Sequence, residues 1–458
     1  MPHLRPQAPS LPVPTPQRPQ PAARRRPHFT GLLLGIVALI ASPASPAATL
    51  ADTGITLSGS YTGESAAVVD GGKRRGSAYA GQFFVGADVD LARLAGWTGA
   101  TVRLYGASRH GDNLSRDEIG NSTSIQEIFG GQTERLANFT LEQQWLDGRL
   151  LLEAGRTVAN IHFLGSELCQ YFQTNSACGN PTFVFRTSNF TYWPVSSWGA
   201  HAKGYLTPSI YLHAGAYEVN PRQAEDDQHG LEWSTRDATG LIAPYAIGYK
   251  TTAATAHLPS MIELGGWYDT SDYRDPLRDA SGAAAAISGR PYATRSGRSG
   301  AYFRVEQRVT RSDPAGNRGL TLFGAALIGT HGEAEQQHFL ELGLVQRGTL
   351  AGRDRDTLGL VVSQQRYSDQ ALDNQQLLRA AAGGSGRPAT SQVMVELSYG
   401  IQVNPLLRVQ PNLHYIANPD QFGEPARTRD LADALAVGLR VDLSLSPFVR
   451  DLAEAMRP

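Results

Sequence analysis

The amino-acid sequence predicts an all-β fold, a transmembrane antiparallel β-barrel of about sixteen strands with short periplasmic turns and long extracellular loops. A long amphipathic strand, its many repeats, and the alternating lengths of the connections carry that prediction. The clearest strand is 433–445, DALAVGLRVDLSL. Here Leu435, Val437, Leu439, Val441, Leu443 and Leu445 alternate with Ala436, Gly438, Arg440, Asp442 and Ser444. Strand side chains alternate faces, so one face is apolar and the other is polar and charged. At about a dozen residues it outruns the usual strand of a soluble sheet, nearer five or six, and suits a tilted membrane strand of roughly 9–11. A long edge strand of a soluble sandwich would carry the same pattern, so the rest of the chain has to separate the two.

In chain order, period-two segments fall at 55–61, 79–89, 100–106, 136–145 and 149–156. Phe83, Val85, Ala87 and Val89 oppose Gln82 and Asp88 in the second, and Asp147-Gly148 makes a hairpin turn between the last two. An irregular stretch at 159–196 holds both cysteines and many aromatics. Further segments follow at 197–205, 209–217, 241–250, 262–269, 301–309 and 319–329, then at 338–346, 356–365, 391–400, 407–415 and 433–445. Short connections near 90–99, 146–148, 206–208, 251–261, 310–318, 347–355 and 401–406 alternate with mostly longer ones near 62–78, 107–135, 157–196, 218–240, 270–300, 366–390 and 416–432. Only the link near 330–337 breaks the alternation. A membrane barrel sorts its loops this way, and a soluble sandwich has no reason to.

Composition agrees. Glycine is abundant at 48 of 458 residues, charge is modest at 18% and mean hydropathy is negative. No apolar run of roughly 18 residues follows the N-terminus, which argues against membrane helices. Residues 1–48 read as a leader and secretory signal: Arg24-Arg25-Arg26, an apolar stretch from Leu32 to Ala41, then small residues up to Ala48. The apolar run is too short for an anchor. The expected organisation is therefore 1–48 leader, 49–448 barrel and 449–458 tail. Without the leader's five arginines, 41 basic and 42 acidic residues become a net charge of about −6, which argues against nucleic acid as a partner. Cys169 and Cys178 lie close together in an exported chain, so a disulfide is expected. They do not form a CxxC motif, and no flanking His or Cys completes a zinc set.

Several stretches resemble the carbohydrate-selective porins of the OprB family. They are LSGSYTGE at 57–64, GADVDLARLAGWTGATVRLYG at 86–106, LEQQWLDGRLLLEAGR at 141–156 and IELGGWYDTSDY at 262–273. GNRGLTLFGAALIG at 316–329, SYGIQVNPLLRVQPNLHYIANP at 398–419 and GLRVDLSL at 438–445 complete the set, which spans most of the mature chain. The resemblance implies a sixteen-stranded channel in the outer membrane of a Gram-negative bacterium, a monomer or a homotrimer, passing glucose and related sugars by diffusion. It also implies a long loop folded inward, which by position holds Cys169 and Cys178. Two departures stand out. The final strand stops near Leu445 instead of ending the chain on an aromatic residue, with Phe448 following. Inward Ala325 stands where relatives often carry Arg.

The polar phase assigns Arg103, Glu142, Glu153, His201, Lys203, Glu263, Asp269, Arg304, Glu306, Arg308, Glu341, Glu396, Arg408, Arg440 and Asp442 to the lumen. Both signs occur in similar numbers, whereas an ion-selective pore is expected to show a ring of one sign. Arg103, Arg304, Arg440, Glu306 and Trp267 are the expected solute contacts, with Tyr105 and Glu142 also lining the pore. The competing role for each charge is a salt bridge that braces the wall. Tyr61, Trp145, Tyr399 and Tyr415 read as outer-face girdle residues. Neither GxSxG nor HExxH nor a phosphate loop occurs, so no catalytic residue, cofactor or metal is expected. The expectation is passive sugar diffusion, with outer-membrane lipid and the assembly machinery as partners. The alternative is a general, non-selective osmotic or ion porin; an adhesin or receptor barrel has no positive support.

Overall fold

A computed structural model describes residues 52–177, 182–313 and 318–455. The leader at 1–48 and Cys178 lie outside the described residues. Among the described residues the strands are β1 Ile55–Gly72, β2 Gly76–Asp90, β3 Ala100–Gly111, β4 Thr133–Trp145, β5 Leu150–Thr157, β6 Ser197–Tyr205, β7 Ile210–Val219 and β8 Gly240–Lys250. They continue as β9 Ser260–Asp279, β10 Tyr292–Arg308, β11 Gly319–His331, β12 Gln336–Arg347, β13 Thr357–Tyr367, β14 Ser391–Gln402, β15 Leu407–Ala417 and β16 Ala432–Ser444. Each pairs antiparallel with its sequence neighbours, and β1 closes on β16 through Tyr61↔Leu443 and Ala67↔Val437. Closure leaves no strand edge unpaired, which hydrocarbon demands because it offers no water to exposed N–H and C=O. No described helix is long and apolar enough to cross a membrane.

The alternation predicted for 433–445 holds in space. Leu435, Val437 and Leu439 stand exposed on the outer face, while Ala434, Ala436 and Arg440 are buried inside. Trp145 and Tyr415 are also exposed outside. The hairpin at 146–149 turns through positive φ at Leu146, Asp147 and Gly148.

Two extracellular connections differ from expectation. The loop expected at 62–78 is a turn at 73–75, because β1 and β2 stay in register from Ile55↔Val89 to Val68↔Gly76. Both faces of Ala66-Ala67-Val68-Val69 are apolar, so alternation fades there although the pairing continues. Likewise β9 and β10 extend well into the stretch expected as the loop 270–300.

The chain ends in a helix, Ser446–Ala455, that folds back over the outside of the barrel. Val449 and Ala453 pack on the outward cluster of Ile55, Leu57, Val85, Ala87 and Val89. Gly59 permits this approach, since a Cβ there would lie 2.6 Å from Val449 Cγ2. Phe448 remains 65% exposed.

Two long extracellular connections fold into the lumen. The third, 158–196, seats Phe163, Leu164, Phe183, Val184 and Phe190 on inward residues of β7 to β12. The second, 112–132, seats Leu114, Ile119 and Ile125 on Ala66, Val68, Met394, Ile416, Ala434 and Ala436. The loops also bond each other, Glu127 N donating to Gln173 O at 2.8 Å and Asn175 N to Ser124 O at 2.9 Å. Only the third loop is expected inward from the sequence; the second is a finding of the structure.

Candidate functional site

Inward polar side chains fall into two sets, those sealed beneath the loops and those beside the lumen the loops leave open. The sealed set holds the loops. Glu396 on β14 accepts from Gln173 N and Thr174 N, each at 2.8 Å. Asn412 Nδ2 donates to Gln173 Oε1 at 2.7 Å, and Thr123 Oγ1 to Gln365 Oε1 at 2.9 Å. Asp420, on the last extracellular loop, accepts from Ser122 N at 3.0 Å and Ser122 Oγ at 2.8 Å. Burial raises the Asp420 carboxyl above its ordinary value, against the pull of Arg186 and of these hydrogen bonds.

Arg103 and Tyr105 on β3 lie on the open side. The Arg103 side chain is 25% exposed. Its Nη1 donates to Glu142 Oε2 at 2.5 Å and Glu153 Oε2 at 3.0 Å, and its Nε is 3.7 Å from Asp88. Tyr105 donates to Asp88 Oδ1 at 2.6 Å. The Tyr105 ring meets Phe84 edge-on at 5.6 Å between centroids, and Phe84 lies 5.9 Å from Trp193 of the third loop. Trp193 Nε1 and Arg109 Nε converge on Gln82 Oε1 at 3.1 and 2.7 Å. The guanidiniums of Arg103 and Arg109, three carboxylates and three aromatic rings therefore gather on β2 to β5 and the end of the third loop.

The other expected contacts sit elsewhere. Arg440 on β16 donates through Nη1 to Glu64 Oε1 at 2.9 Å and through Nε to Asp442 at 3.1 Å. Its Nη1 also reaches Phe172 O at 3.4 Å and lies 3.8 Å from Glu127. Arg304 on β10 donates to Gly165 O at 2.9 Å and approaches Glu263 and Glu306 at 3.5 and 3.6 Å. Glu306 accepts from Ser166 Oγ at 2.7 Å. Arg304 and Glu306 thus pin the third loop to the wall, and Ala325, paired with Arg304, lies in the cluster that loop covers. Trp267 does not face the open lumen. It is 0% exposed beneath the third loop, its ring lying on Gly300, where a Cβ would fall 2.1 Å from Trp267 Cζ2. Cys169 lies in the short turn Glu167–Tyr171; Cys178, its expected disulfide partner, lies outside the described residues.

Arg103, Tyr105 and Glu142 are thus brought together, while Arg304, Glu306 and Trp267 form a wall–loop joint. Asp88, Phe84 and Trp193 are not among the site residues expected from the sequence, nor is Glu127 beside Arg440. Asp88 shares the polar phase of β2 and pairs directly with Arg103 in the β2–β3 register, a signal available from the hairpin. The loop residues left a weaker one, Leu114, Ile119, Ile125 and Ile128 being apolar in an otherwise polar connection.

Comparison with known proteins agrees with this architecture. The sequence profile described as "Carbohydrate-selective porin, OprB family" matches residues 74–445. Porin B of Pseudomonas aeruginosa is 30% identical over 396 residues, covering 83% of this chain and 85% of that protein. A putative porin QuiX of Acinetobacter baylyi is 24% identical over 411 residues, covering 85% and 89%. The high-pH structure of Pseudomonas putida OprB superposes with a TM-score of 0.79 at 30% identity, covering 86% of this chain and 95% of that one.

Proposed function

We propose, from the premise that this chain belongs to the OprB family of carbohydrate-selective porins, that it passes glucose-like monosaccharides down their gradient. The protein is a carbohydrate-selective channel of the Gram-negative outer membrane. The arrangement around Arg103 carries the finer reading. Sugar hydroxyls both donate and accept, so the exposed Asp88 suits their O–H groups and Arg103, which the buried Glu142 holds in place, suits their oxygens. The faces of Phe84, Tyr105 and Trp193 suit sugar C–H faces. A hydrogen bond to a charged group contributes about 1.5–3 kcal/mol. Arg103 already spends Nη1 on two glutamates, so only its remaining donors are free for solute. That keeps binding weak enough for release, as conduction requires. The three carboxylates around Arg103 favour a neutral sugar over a sugar acid.

The proposal needs no catalytic residue and no cofactor. It takes lipid around the apolar strand faces, the outer-membrane assembly machinery as the folding partner, and a monomer or homotrimer that crosslinking in membranes would separate. Liposome swelling with the refolded protein tests it, using glucose, a disaccharide and a sugar acid close to glucose in mass. Fast glucose entry with slow entry of the other two is expected. Equal entry of all three makes the channel a general porin and overturns the selectivity; no swelling by a folded barrel overturns the channel.

A further inference from the structure

We propose that Glu153, His162 and His201 form a binding site for a divalent transition-metal ion of the zinc class, which ties the inward third loop to the barrel wall. Glu153 on β5 and His201 on β6 are directly paired across the sheet, and His162 comes from the loop beside them. One donor atom from each lies within 4.8 Å of the other two. His201 Nε2 is 3.5 Å from Glu153 Oε2, and His162 Nε2 is 3.8 Å from Glu153 Oε1. Ligands about 2.0–2.1 Å from one tetrahedral ion sit roughly 3.4 Å apart, so the set is completed when the loop histidine shifts and gives up its 3.2 Å contact between Nε2 and Thr157 Oγ1.

Three independent features point to a ligand here. First, His201 is only 5% exposed, yet its Nε2 makes no hydrogen bond and is directed at the Glu153 carboxylate. A buried polar atom left without a partner is costly unless something meets it. Second, the other ring nitrogen, His201 Nδ1, is 3.0 Å from His213 Nε2, and the His213 ring stacks on Phe163 at 3.9 Å. With Nδ1–H donating to His213, His201 presents an unprotonated Nε2. A hydrogen bond on the second ring nitrogen fixes the tautomer and the ring orientation of a metal-binding histidine. Third, the neighbouring charges do not balance. Asp88, Glu142 and Glu153 surround the single guanidinium of Arg103, and a divalent cation makes up the deficit of two. Two imidazoles and a carboxylate with a fourth position open suit zinc-class ions.

Glu153 now bonds Thr140 Oγ1 at 2.7 Å and Arg103 Nη1 at 3.0 Å. A metal ion drawing on the same carboxylate frees a donor of Arg103 and fixes the loop, so metal occupancy alters solute passage beside Arg103.

The test uses Co²⁺ as a spectroscopic probe on untagged, refolded barrel. Intense visible d–d bands saturating at one ion per chain are expected, displaced by Zn²⁺. His162→Ala and His201→Ala lose them, and His213→Gln, which only positions His201, weakens Co²⁺ binding about tenfold. Heat-modifiable electrophoretic mobility checks that each variant is folded, and His162→Asn replaces any that is not. Featureless spectra from the folded wild type, or bands unchanged in the His162 and His201 variants, overturn the site. The readout involves no sugar, so its failure leaves the sugar-channel reading intact, and failure of that reading leaves the metal site intact.

Discussion

Arg440 separates bracing from solute contact most sharply. Its Nη1 bonds Glu64 Oε1 at 2.9 Å, and Glu64 is completely buried, with Ile128 N at 3.3 Å as the donor to its other oxygen. Replacing Arg440 with Met keeps the length and apolar stem but strands the Glu64 carboxylate. Removing one partner of a buried pair costs about 3–5 kcal/mol, because the other charge is left uncompensated. R440M is therefore expected to lower the free energy of barrel unfolding by about that amount, and E64Q/R440M to recover most of it, because replacing both partners leaves no buried charge. Urea unfolding in lipid vesicles, followed by tryptophan fluorescence, gives both values. The same guanidinium reaches Phe172 O and Glu127, so R440M also loosens both inward loops and raises disaccharide entry in swelling assays. A variant as stable as wild type within about 0.5 kcal/mol, but slow for glucose, would show that Arg440 serves the solute and not the wall, and would refute the reasoning.

Gly300→Ala puts a methyl within the ring of Trp267 and should destabilise the barrel by about 1–3 kcal/mol through overpacking, read from the same unfolding curves. Phe183→Ala removes a ring wholly buried between the third loop and Phe339; a loss of about 3–5 kcal/mol is expected in the loop's attachment, seen as faster hydrogen exchange across 182–190 with the strands unchanged. Arg103→Gln should weaken glucose binding about tenfold, measured as the glucose concentration that half-blocks single-channel current. At the periplasmic end, burial raises the Asp356 carboxyl, but bonds from Arg353 at 2.8 and 2.9 Å, Gln402 N at 3.0 Å and Tyr399 at 3.0 Å outweigh it and hold it below its ordinary value. A depressed carboxyl stabilises fully above its unfolded pKa of about 3.9, and that contribution is lost as pH falls through the folded value. Asp356→Asn should thus be less stable than wild type at neutral pH, the gap closing below about pH 4 in unfolding scans.

The barrel was legible in the sequence because hydrocarbon imposes a strict local rule. Every outward residue must be apolar, strand side chains alternate, and so Leu435 to Leu445 reveal both strand and face with no knowledge of neighbours. The lumen phase of Arg103, Arg304, Glu306 and Arg440 follows from the same rule. Which inward groups meet solute does not, because inside the barrel the competing environment is another part of the chain and not a uniform solvent. Trp267 shares the polar phase of its strand, yet a glycine on the next strand and a distant loop seal it from the lumen. Asp88, Trp193 and Arg103 converge through register and loop folding, as do Glu153 and His162 with His201 from the next strand. Alternation by itself determined the wall, the number of strands and the side that faces lipid. Only the tertiary structure decided where the two loops lie, and burial beneath them is set by contacts that no local spacing encodes.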